Sequence, residues 1–377
     1  MKKYFFLAFI SIALFQFISA QTIIGKIRHG GIERNYRLYL PKNYSSSRPS
    51  ALVFNLHGYG SNATEQEIYG NFRPIADTAG FIIVHPNGTN DPNGSPYWNV
   101  GLIQSNVDDL GFLEALIDSL DKSYPIDHKK VFSTGMSNGG FMSLLLACQS
   151  NKFAAVASVT GTMTKLLPPN CQPSKAIPVM LIHGTADAVV PYLGNAGLLS
   201  VPAVLDHFSN LLKCSKTDIS KQNVPDKVPG DGAQAEWQVY KNCTGGLEHF
   251  KITNGGHTWP GSVIPLPMTC QDFSASAEIW RFFRQSIENT SSTNNVNKIE
   301  LSVYPNPADT WLNIQTSDLN TGLNLQINDA LGRQVYVEKM TNQILKINVA
   351  DWPSGLYHIR IEGATALEGK TVLIQRP

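Results

Sequence analysis

Between residues 51 and 287 the sequence alternates short apolar runs with longer segments that carry a helical pattern of apolar residues. The run at 51–56 is continuously apolar, which is typical of a strand buried on both faces of a parallel sheet. Strands are predicted within 22–40 and at 51–56, 81–84, 131–133, 154–159, 179–183, 237–240 and 250–253, and helices at 65–79, 108–120, after 138 and at 274–287. The alternation predicts an α/β fold, with a mostly parallel sheet flanked by helices.

A second folded unit is predicted at residues 299–377. Residues 289–298 contain almost no apolar side chains and therefore indicate a linker. Beyond them, at 323–327, 345–349 and 357–361, apolar and polar residues alternate with period two, which is typical of strands with one exposed face. Turn sequences separate these runs, so this region predicts a small antiparallel β-sandwich.

The N-terminus has the pattern of a secretory signal peptide. Lysines precede an apolar run at residues 4–18, which ends in the small residues Ser19 and Ala20. The run is shorter than the roughly 20 residues that a membrane-spanning helix needs, although an uncleaved anchor is the alternative. We expect residues 1–20 to be removed and the rest to be exported without stable insertion in a membrane.

Net charge and length narrow the possible functions. Lys plus Arg number 30 against 29 Asp plus Glu, so the chain has no overall field that would attract nucleic acid. A chain of 377 residues with 42% hydrophobic content is long enough for two folded units.

Five cysteines are scattered along the chain without a Cys-x-x-Cys pair, which argues against a zinc site or a thioredoxin-like redox motif. In an exported protein they are disulfide candidates. Proximity in sequence favours Cys148 with Cys171 and Cys214 with Cys243, which leaves Cys270 unpaired. Sequence alone does not fix this connectivity, and buried thiols are the alternative.

The segment Gly135-Met136-Ser137-Asn138-Gly139 matches Gly-x-Ser-x-Gly and lies between a predicted strand and a predicted helix. This context is typical of a nucleophile elbow, a turn so tight that glycines flank the serine. Such a turn holds Ser137 at the carboxyl edge of the sheet, at the positive end of the next helix. A surface serine in a glycine-rich turn is the alternative.

A serine hydroxyl becomes an effective nucleophile when a histidine accepts its proton and a carboxylate orients that histidine. In proteins with this elbow the chain order is Ser, Asp, His. Asp187 follows the predicted strand at 179–183, and His257 follows the strand that ends near 253. We therefore predict Ser137, Asp187 and His257 as the catalytic residues.

Other acidic residues and histidines suit structural roles better. Asp108 and Asp109 come before the nucleophile and suit the capping of the helix that follows them. His183 is too close to the predicted acid to be the base, and we expect it to order that loop through hydrogen bonds. His249 is also expected to be structural.

Attack by a serine on an ester places negative charge on the former carbonyl oxygen, and each backbone N–H aimed there can contribute about 2.7–4 kcal/mol. The N–H of Asn138, next to the nucleophile, is predicted as one donor. The second is expected within His57-Gly58-Tyr59-Gly60, from the N–H of Tyr59. An ordinary tight turn is the alternative for this second segment.

Trp98 and Trp259 are candidates for substrate binding. Two tryptophans of this kind can form an aromatic wall for an acyl group or a sugar. Trp259 lies two residues beyond the predicted base. A place in the hydrophobic core is the alternative for both.

Several motifs occur together in the first unit. They are HGYG at 57–60, VDDLGF at 107–112, GMSNGG at 135–140, HGTAD at 183–187 and GGHTWPG at 255–261. With them, residues 24–287 resemble the secreted esterases that include feruloyl and acetyl xylan esterases and polyhydroxybutyrate depolymerase-like hydrolases. The resemblance implies an α/β-hydrolase fold and a carboxylesterase that needs no metal or other cofactor, with Ser137, Asp187 and His257 as its triad.

The C-terminal unit carries motifs of its own, VYPNP at 303–307, DALGR at 329–333 and SGLY at 354–357. With them, residues 299–377 resemble the type A sorting domain of the type IX secretion system of Bacteroidetes. This implies that the type IX machinery is a partner and that the protein is released or attached to the cell surface. A carbohydrate-binding module is the alternative, but no aromatic platform is evident in the strands.

The sequence therefore predicts an extracellular serine esterase that acts on ester groups of plant cell-wall polysaccharide, with feruloyl esters expected first. Hydrolysis of polyhydroxybutyrate or other polyester oligomers is the second hypothesis, and a peptidase on the same fold is the third. From another class, the chain would be a surface glycan-binding protein with an inactive hydrolase scaffold, which predicts a broken triad.

Overall fold

The structure, a computed structural model, describes residues 21–291, 301–316, 323–329, 333–362 and 367–376. The predicted signal peptide at 1–20 lies outside the described residues, as does most of the predicted linker at 289–298. The chain divides into two units, Met1–Thr290 and Ser291–Pro377, and the division falls within that linker.

The first unit combines strands and helices in alternation. Its strands are β1 (Gln21–His29), β2 (Ile32–Leu40), β3 (Ser50–Leu56), β4 (Ile82–Pro86), β5 (Thr89–Asn90), β6 (Pro96–Tyr97), β7 (Ile126–Met136), β8 (Ala155–Val159), β9 (Val179–Gly184), β10 (Ile219–Asn223), β11 (Gln234–Tyr240) and β12 (Leu247–Thr253). Its helices are α1 (Ala63–Tyr69), α2 (Arg73–Ala79), α3 (Asp109–Asp121), α4 (Asn138–Gln149), α5 (Val201–Leu211) and α6 (Ala275–Ser291).

One large sheet runs through this unit in the order β1-β2-β4-β3-β7-β8-β9-β12-β11-β10, while β5 and β6 form a separate short hairpin. The six central strands, β4 to β12 in this order, pair in parallel. The strands at both edges pair antiparallel. The predicted α/β fold with a mostly parallel sheet is therefore confirmed.

Both faces of the central sheet are covered, which explains the continuous apolar runs. In β3, Leu52 and Phe54 belong to one core cluster and Val53 to the other; in β9, Leu181 and Ile182 are divided in the same way. Helices α3, α4 and α5 contribute to the first cluster, and α2 and α6 to the second. Alternate side chains of each strand are therefore buried on opposite faces.

The helix predicted at 65–79 is two helices, α1 and α2. Asn62 caps α1 by accepting two backbone N–H groups on its side-chain oxygen. The chain turns at Gly70, where a Cβ would lie 3.1 Å from the ring of Trp259. Pro74 has no N–H with which to continue a helix from the preceding turn, so the helix is interrupted here.

Helix α5 and strand β10 were not predicted. Pro202 lies in the first turn of α5, where its missing N–H is not needed, and the Oγ of Ser200 caps the helix. Strand β10 lies at the edge of the sheet and is mostly exposed, so it lacks the apolar pattern that marks the central strands.

The favoured cysteine pairing is confirmed. Disulfides join Cys148 to Cys171 and Cys214 to Cys243. Cys270 is a buried free thiol.

The second unit is antiparallel β structure, as predicted. Its strands are β13 (Leu301–Tyr304), β14 (Trp311–Thr316), β15 (Leu323–Asp329), β16 (Gln334–Met340), β17 (Ile344–Asn348), β18 (Gly355–Glu362) and β19 (Leu367–Ile374). They form two sheets, β13-β14-β17 and β16-β15-β18-β19, whose apolar residues share one core cluster.

Candidate active site

Ser137 lies at the turn between β7 and α4, with φ 53° and ψ −119°. Residues other than glycine rarely occupy this region, so the surrounding structure holds the serine in a strained conformation. Its N–H donates to the carbonyl of Val159 on β8 at 2.8 Å, and α4 begins at the next residue. This is the strand-to-helix turn that the glycine pattern predicts.

The flanking glycines are required by close backbone contacts. A Cβ on Gly139 would lie 2.3 Å from the carbonyl oxygen of Leu56, and one on Gly135 would lie 2.7 Å from the same oxygen. Leu56 is the last residue of β3, directly before the predicted oxyanion segment. The glycines thus allow the elbow to pack directly against that segment.

Asp187 and His257 follow β9 and β12, which are neighbouring parallel strands. Their loops therefore meet at the carboxyl edge of the sheet, where the elbow also lies. The Nδ1 of His257 is 2.7 Å from the Oδ2 of Asp187. The structure thus joins the two predicted triad partners, which are 70 residues apart in sequence.

The carboxylate of Asp187 is buried and well supplied with donors. Its Oδ1 accepts the N–H groups of Val189 and Val190 at 2.9 and 2.8 Å. Burial alone would raise the pKa of Asp187, but the hydrogen bonds from His183 and His257, the charge of His257 and the N–H of Val190 outweigh it. The pKa of this carboxyl therefore lies well below its usual range, and Asp187 remains ionised as an acceptor for His257.

His183 orders the loop of Asp187, as expected from the sequence. Its Nε2 lies 2.8 Å from the carbonyl oxygen of Val190 and 3.3 Å from the Oδ2 of Asp187. A carbonyl oxygen only accepts, so Nε2 carries the proton and donates. His249 is buried between the carbonyl of Leu181 and the hydroxyl of Tyr192, which fits its predicted structural role.

The predicted oxyanion segment lies beside the elbow. A Cβ on Gly58 would be 3.5 Å from the Cβ of Ser137. The N–H of Asn138 is in the first turn of α4 and has no intrahelical acceptor. Among the described residues, the N–H of Tyr59 has no acceptor either. Both predicted donors are therefore available at the elbow.

Side-chain hydrogen bonds that the sequence analysis did not predict hold this segment in place. The Asn138 side chain pairs with the backbone of Trp98, accepting its N–H at 2.6 Å and donating to its carbonyl at 3.0 Å. The Trp98 indole donates to the carbonyl of His57 at 3.0 Å, and the Nε2 of His57 accepts the N–H of Gly88. Burial lowers the pKa of His57 to about 4, so it stays neutral and keeps this acceptor.

The two tryptophans lie in the core. Trp259 is 1% exposed, its N–H donates to the hydroxyl of Tyr69, and its indole donates to Ser276. The prediction that Trp259 forms a substrate wall is therefore wrong, because this side chain is buried and lines neither of the two cavities at Ser137. Trp98 is also buried, but it lines a cavity beside Ser137.

Asp108 and Asp109 differ in their roles. Asp108 caps α3 through the N–H of Gly111, as predicted. Asp109 is instead buried, accepting from Arg34 at 2.6 Å and from the N–H of Asn99 at 2.7 Å. Burial raises the pKa of Asp109 despite the nearby guanidinium. The prediction of capping is thus wrong for Asp109, which fixes the segment next to Trp98.

Two cavities meet at Ser137. The small cavity, about 180 Å³, is lined mainly by aromatic and aliphatic side chains, including Tyr59, Tyr97, Trp98, Leu102, Phe141 and Val189, and also by Ser137 and Asn138. The large cavity, about 380 Å³, is lined by Ser137 and His257 together with Tyr59, Ile68, Tyr69, Met136, Ile264 and Leu266. In the described part of the chain, no hydrogen bond joins Ser137 to His257. Most of these lining residues were not predicted, because they come together from loops and helices that are distant in sequence.

Residues with metal-binding side chains lie elsewhere. Two groups of this kind occur among the described residues: Cys148, Cys171 and His207, and Asp231, Cys270 and Asp272. The first contains a disulfide. In the second, burial and the two carboxylates raise the pKa of the Cys270 thiol to about 12, so this thiol is protonated at neutral pH in the metal-free protein.

Comparisons with known proteins identify relatives for both units of the chain. Residues 43–218 match the family described as Phospholipase/Carboxylesterase, and residues 302–375 match the Secretion system C-terminal sorting domain. A probable feruloyl esterase C of Aspergillus niger is 31% identical, over 66% of this chain and 83% of the relative. A putative esterase, NocK, of Nocardia uniformis is 29% identical, over 65% of this chain and 76% of the relative.

A solved structure shares the fold. The acetyl xylan esterase from Aspergillus awamori matches 70% of this chain and 99% of its own, with a TM-score of 0.52 and 13% identity. At this identity the likeness concerns the fold alone.

The sheet, its crossing helices and the strained serine define a hydrolase of the α/β-hydrolase fold. The chain belongs to the carboxylesterase family that includes the feruloyl esterases, and it is a carboxylic ester hydrolase. Its C-terminal unit is a sorting domain of a secretion system, so the protein is secreted or held at the cell surface. None of the helices in the described residues has the length and apolar character needed to cross a membrane.

Proposed function

We propose that the protein is a serine esterase in which Ser137 is the nucleophile, His257 the base and Asp187 the residue that orients the base. The observation that carries this proposal is the 2.7 Å contact between His257 and Asp187 at the cavity that Ser137 also lines. The Ser137–His257 hydrogen bond forms when substrate binds, since such bonds are often loose without substrate.

The reaction has two halves. In the first, the Oγ of Ser137 attacks the ester carbonyl carbon while the Nε2 of His257 takes its proton, and the alcohol then leaves with that proton. In the second, His257 takes a proton from water, whose oxygen attacks the acyl-enzyme, and the acid is released as Ser137 regains its proton. The N–H groups of Tyr59 and Asn138 stabilise the oxyanion in both halves.

Feruloyl or acetyl esters of plant cell-wall polysaccharide are the proposed substrates. The alcohol oxygen must reach His257 to be protonated, so the alcohol lies in the large cavity and the acyl group in the small cavity, which His257 does not line. Tyr59 gives the small cavity an exposed aromatic ring, and Leu102 and Val189 give it exposed aliphatic groups, which a flat phenolic acyl group would contact. The names of the relatives point to the same substrates.

Export is proposed to follow two signals. The pattern at residues 1–20 would direct the chain through the inner membrane, and the C-terminal sorting domain would then be recognised by the type IX secretion machinery.

The test is product release by the purified protein from methyl ferulate, acetylated xylan and a 3-hydroxybutyrate oligomer. Ser137→Ala should lower the rate at least ~10³-fold, because loss of a nucleophile removes the acyl-enzyme route. Ser46→Ala, at an exposed serine, is the control and should match the unmodified protein.

The outcomes separate the hypotheses. Ferulate or acetate release that depends on Ser137 supports the proposal, whereas release from the hydroxybutyrate oligomer alone would replace it with the polyester hypothesis. No hydrolysis of these esters would favour a glycan-binding protein with an inactive scaffold.

A further inference from the structure

The loop at residues 262–268, which we call the apolar loop, exposes an unusual set of side chains. Val263, Ile264, Leu266 and Met268 are each between 46% and 73% exposed. Single exposed apolar residues are common on protein surfaces, but a contiguous group indicates a binding surface.

The apolar loop is fixed in position. The carbonyl of Met268 accepts the N–H of Gly256, next to His257, at 3.0 Å. At the other end, the Oγ of Ser262 accepts the N–H of Ile264, and its carbonyl accepts from the side chain of Gln271. The exposed side chains are thus held in place by the same segment that presents the base.

The apolar loop is continuous with the large cavity. Ile264 and Leu266 line this cavity together with Ser137 and His257, and Ile68 contributes from helix α1. Ile68 is itself 41% exposed. The apolar surface therefore begins at the reacting groups and extends outward from them.

Several polar groups on this wall already have partners within the protein. The hydroxyl of Tyr69 accepts the N–H of Trp259, and that of Tyr59 donates to Asp91 at 2.7 Å. The hydroxyl of Ser61 donates to Glu65 at 2.7 Å. The two tyrosines therefore contribute mainly ring carbon atoms to the lining of the large cavity.

We propose that the apolar loop and Ile68 form a binding surface for an apolar alcohol group, so that the enzyme prefers esters whose alcohol carries a longer alkyl chain. This inference rests on the proposed function, because it takes His257 as the group that protonates the leaving alcohol. The occupant of the surface is the alcohol half of the substrate, since the surface adjoins the base and not the small cavity. Binding there stabilises the transition state by removing alkyl carbon from water.

The experiment measures kcat/KM for methyl, butyl and hexyl ferulate and for a feruloyl ester of arabinose, with the full chain below the solubility limit of each ester. Hexyl ferulate should exceed methyl ferulate at least tenfold, which corresponds to about 1.4 kcal/mol. In the double variant Ile264→Ser/Leu266→Ser this ratio should fall below threefold. Ile24→Ser, at an exposed isoleucine of edge strand β1, is the matched control and should keep the full ratio.

The results also separate this inference from the proposed function. Ferulate release that depends on Ser137 but does not increase with alkyl length would overturn the apolar surface and leave the esterase standing. A ratio that persists in the double variant would equally overturn the role of the apolar loop. No release that depends on Ser137, either from these ferulates or from acetylated xylan, would instead mark failure of the proposed function.

Discussion

Replacement of Gly139 by alanine tests how the elbow and the oxyanion segment are held together. The added Cβ would lie 2.3 Å from the carbonyl oxygen of Leu56 and 2.7 Å from that of His57, whereas ordinary contact begins at 3.4 Å. Both atoms are backbone, so the elbow and the segment that carries Tyr59 must separate by about 1 Å. A displacement of that size at a catalytic group lowers activity about 100-fold.

The assay is kcat/KM on methyl ferulate, together with urea unfolding. Overpacking of this kind lowers the free energy of unfolding by about 1–3 kcal/mol, so we expect a folded protein with a large activity defect. Gly230→Ala is the matched control, because a Cβ there meets nothing within 4 Å. If Gly139→Ala keeps kcat/KM within threefold of the unmodified protein, the reasoning about the elbow is refuted.

Three further predictions concern His183, the second disulfide and the free thiol of Cys270. His183→Leu removes a donor to Asp187 and should lower kcat/KM about tenfold, whereas His183→Gln, which can place an N–H near the same position, should retain more activity. The folded pKa of Asp187 lies below its unfolded value of about 3.9, so the ionised carboxylate stabilises the folded protein above that pH, and this stabilisation is lost as the pH falls toward the folded pKa. The difference in free energy of unfolding between the unmodified protein and His183→Leu should therefore be largest at pH 6 and smaller at pH 2. Replacing Cys214 and Cys243 by alanine should lower the free energy of unfolding by about 3.5 kcal/mol, since the bridge closes a long loop. Cys270, whose pKa is raised to about 12, should resist iodoacetamide in the native protein at pH 8 and react in urea; native labelling seen by mass spectrometry would contradict its burial.

Much of the fold could be predicted because its signals are local. The continuous apolar run at 51–56 indicates a strand covered on both faces, and β3 has this arrangement. Helix α5 escaped prediction because Pro202 indicates a break, although a proline is compatible with the first turn of a helix.

In the site, the position of the elbow was predictable from sequence, but the role of Asp109 was not. Ser137 was found because the elbow needs glycines at fixed positions near the serine, and this spacing is visible in the sequence. The role of Asp109 was not visible, because its partner Arg34 lies 75 residues earlier, on strand β2. The short-range pattern therefore predicted capping for a residue that forms a buried ion pair.

The sequence by itself determined the alternation of central strands and helices, the elbow and the family, because glycine spacing and the pattern of apolar residues act over a few neighbouring positions. Tertiary structure alone decided the environment of each group. Trp259 is in the core because Tyr69, 190 residues away, accepts its N–H. The apolar loop becomes part of a site only because β12 brings it beside His257 and opposite Ile68. Such contacts depend on how distant strands pair, which no local pattern specifies.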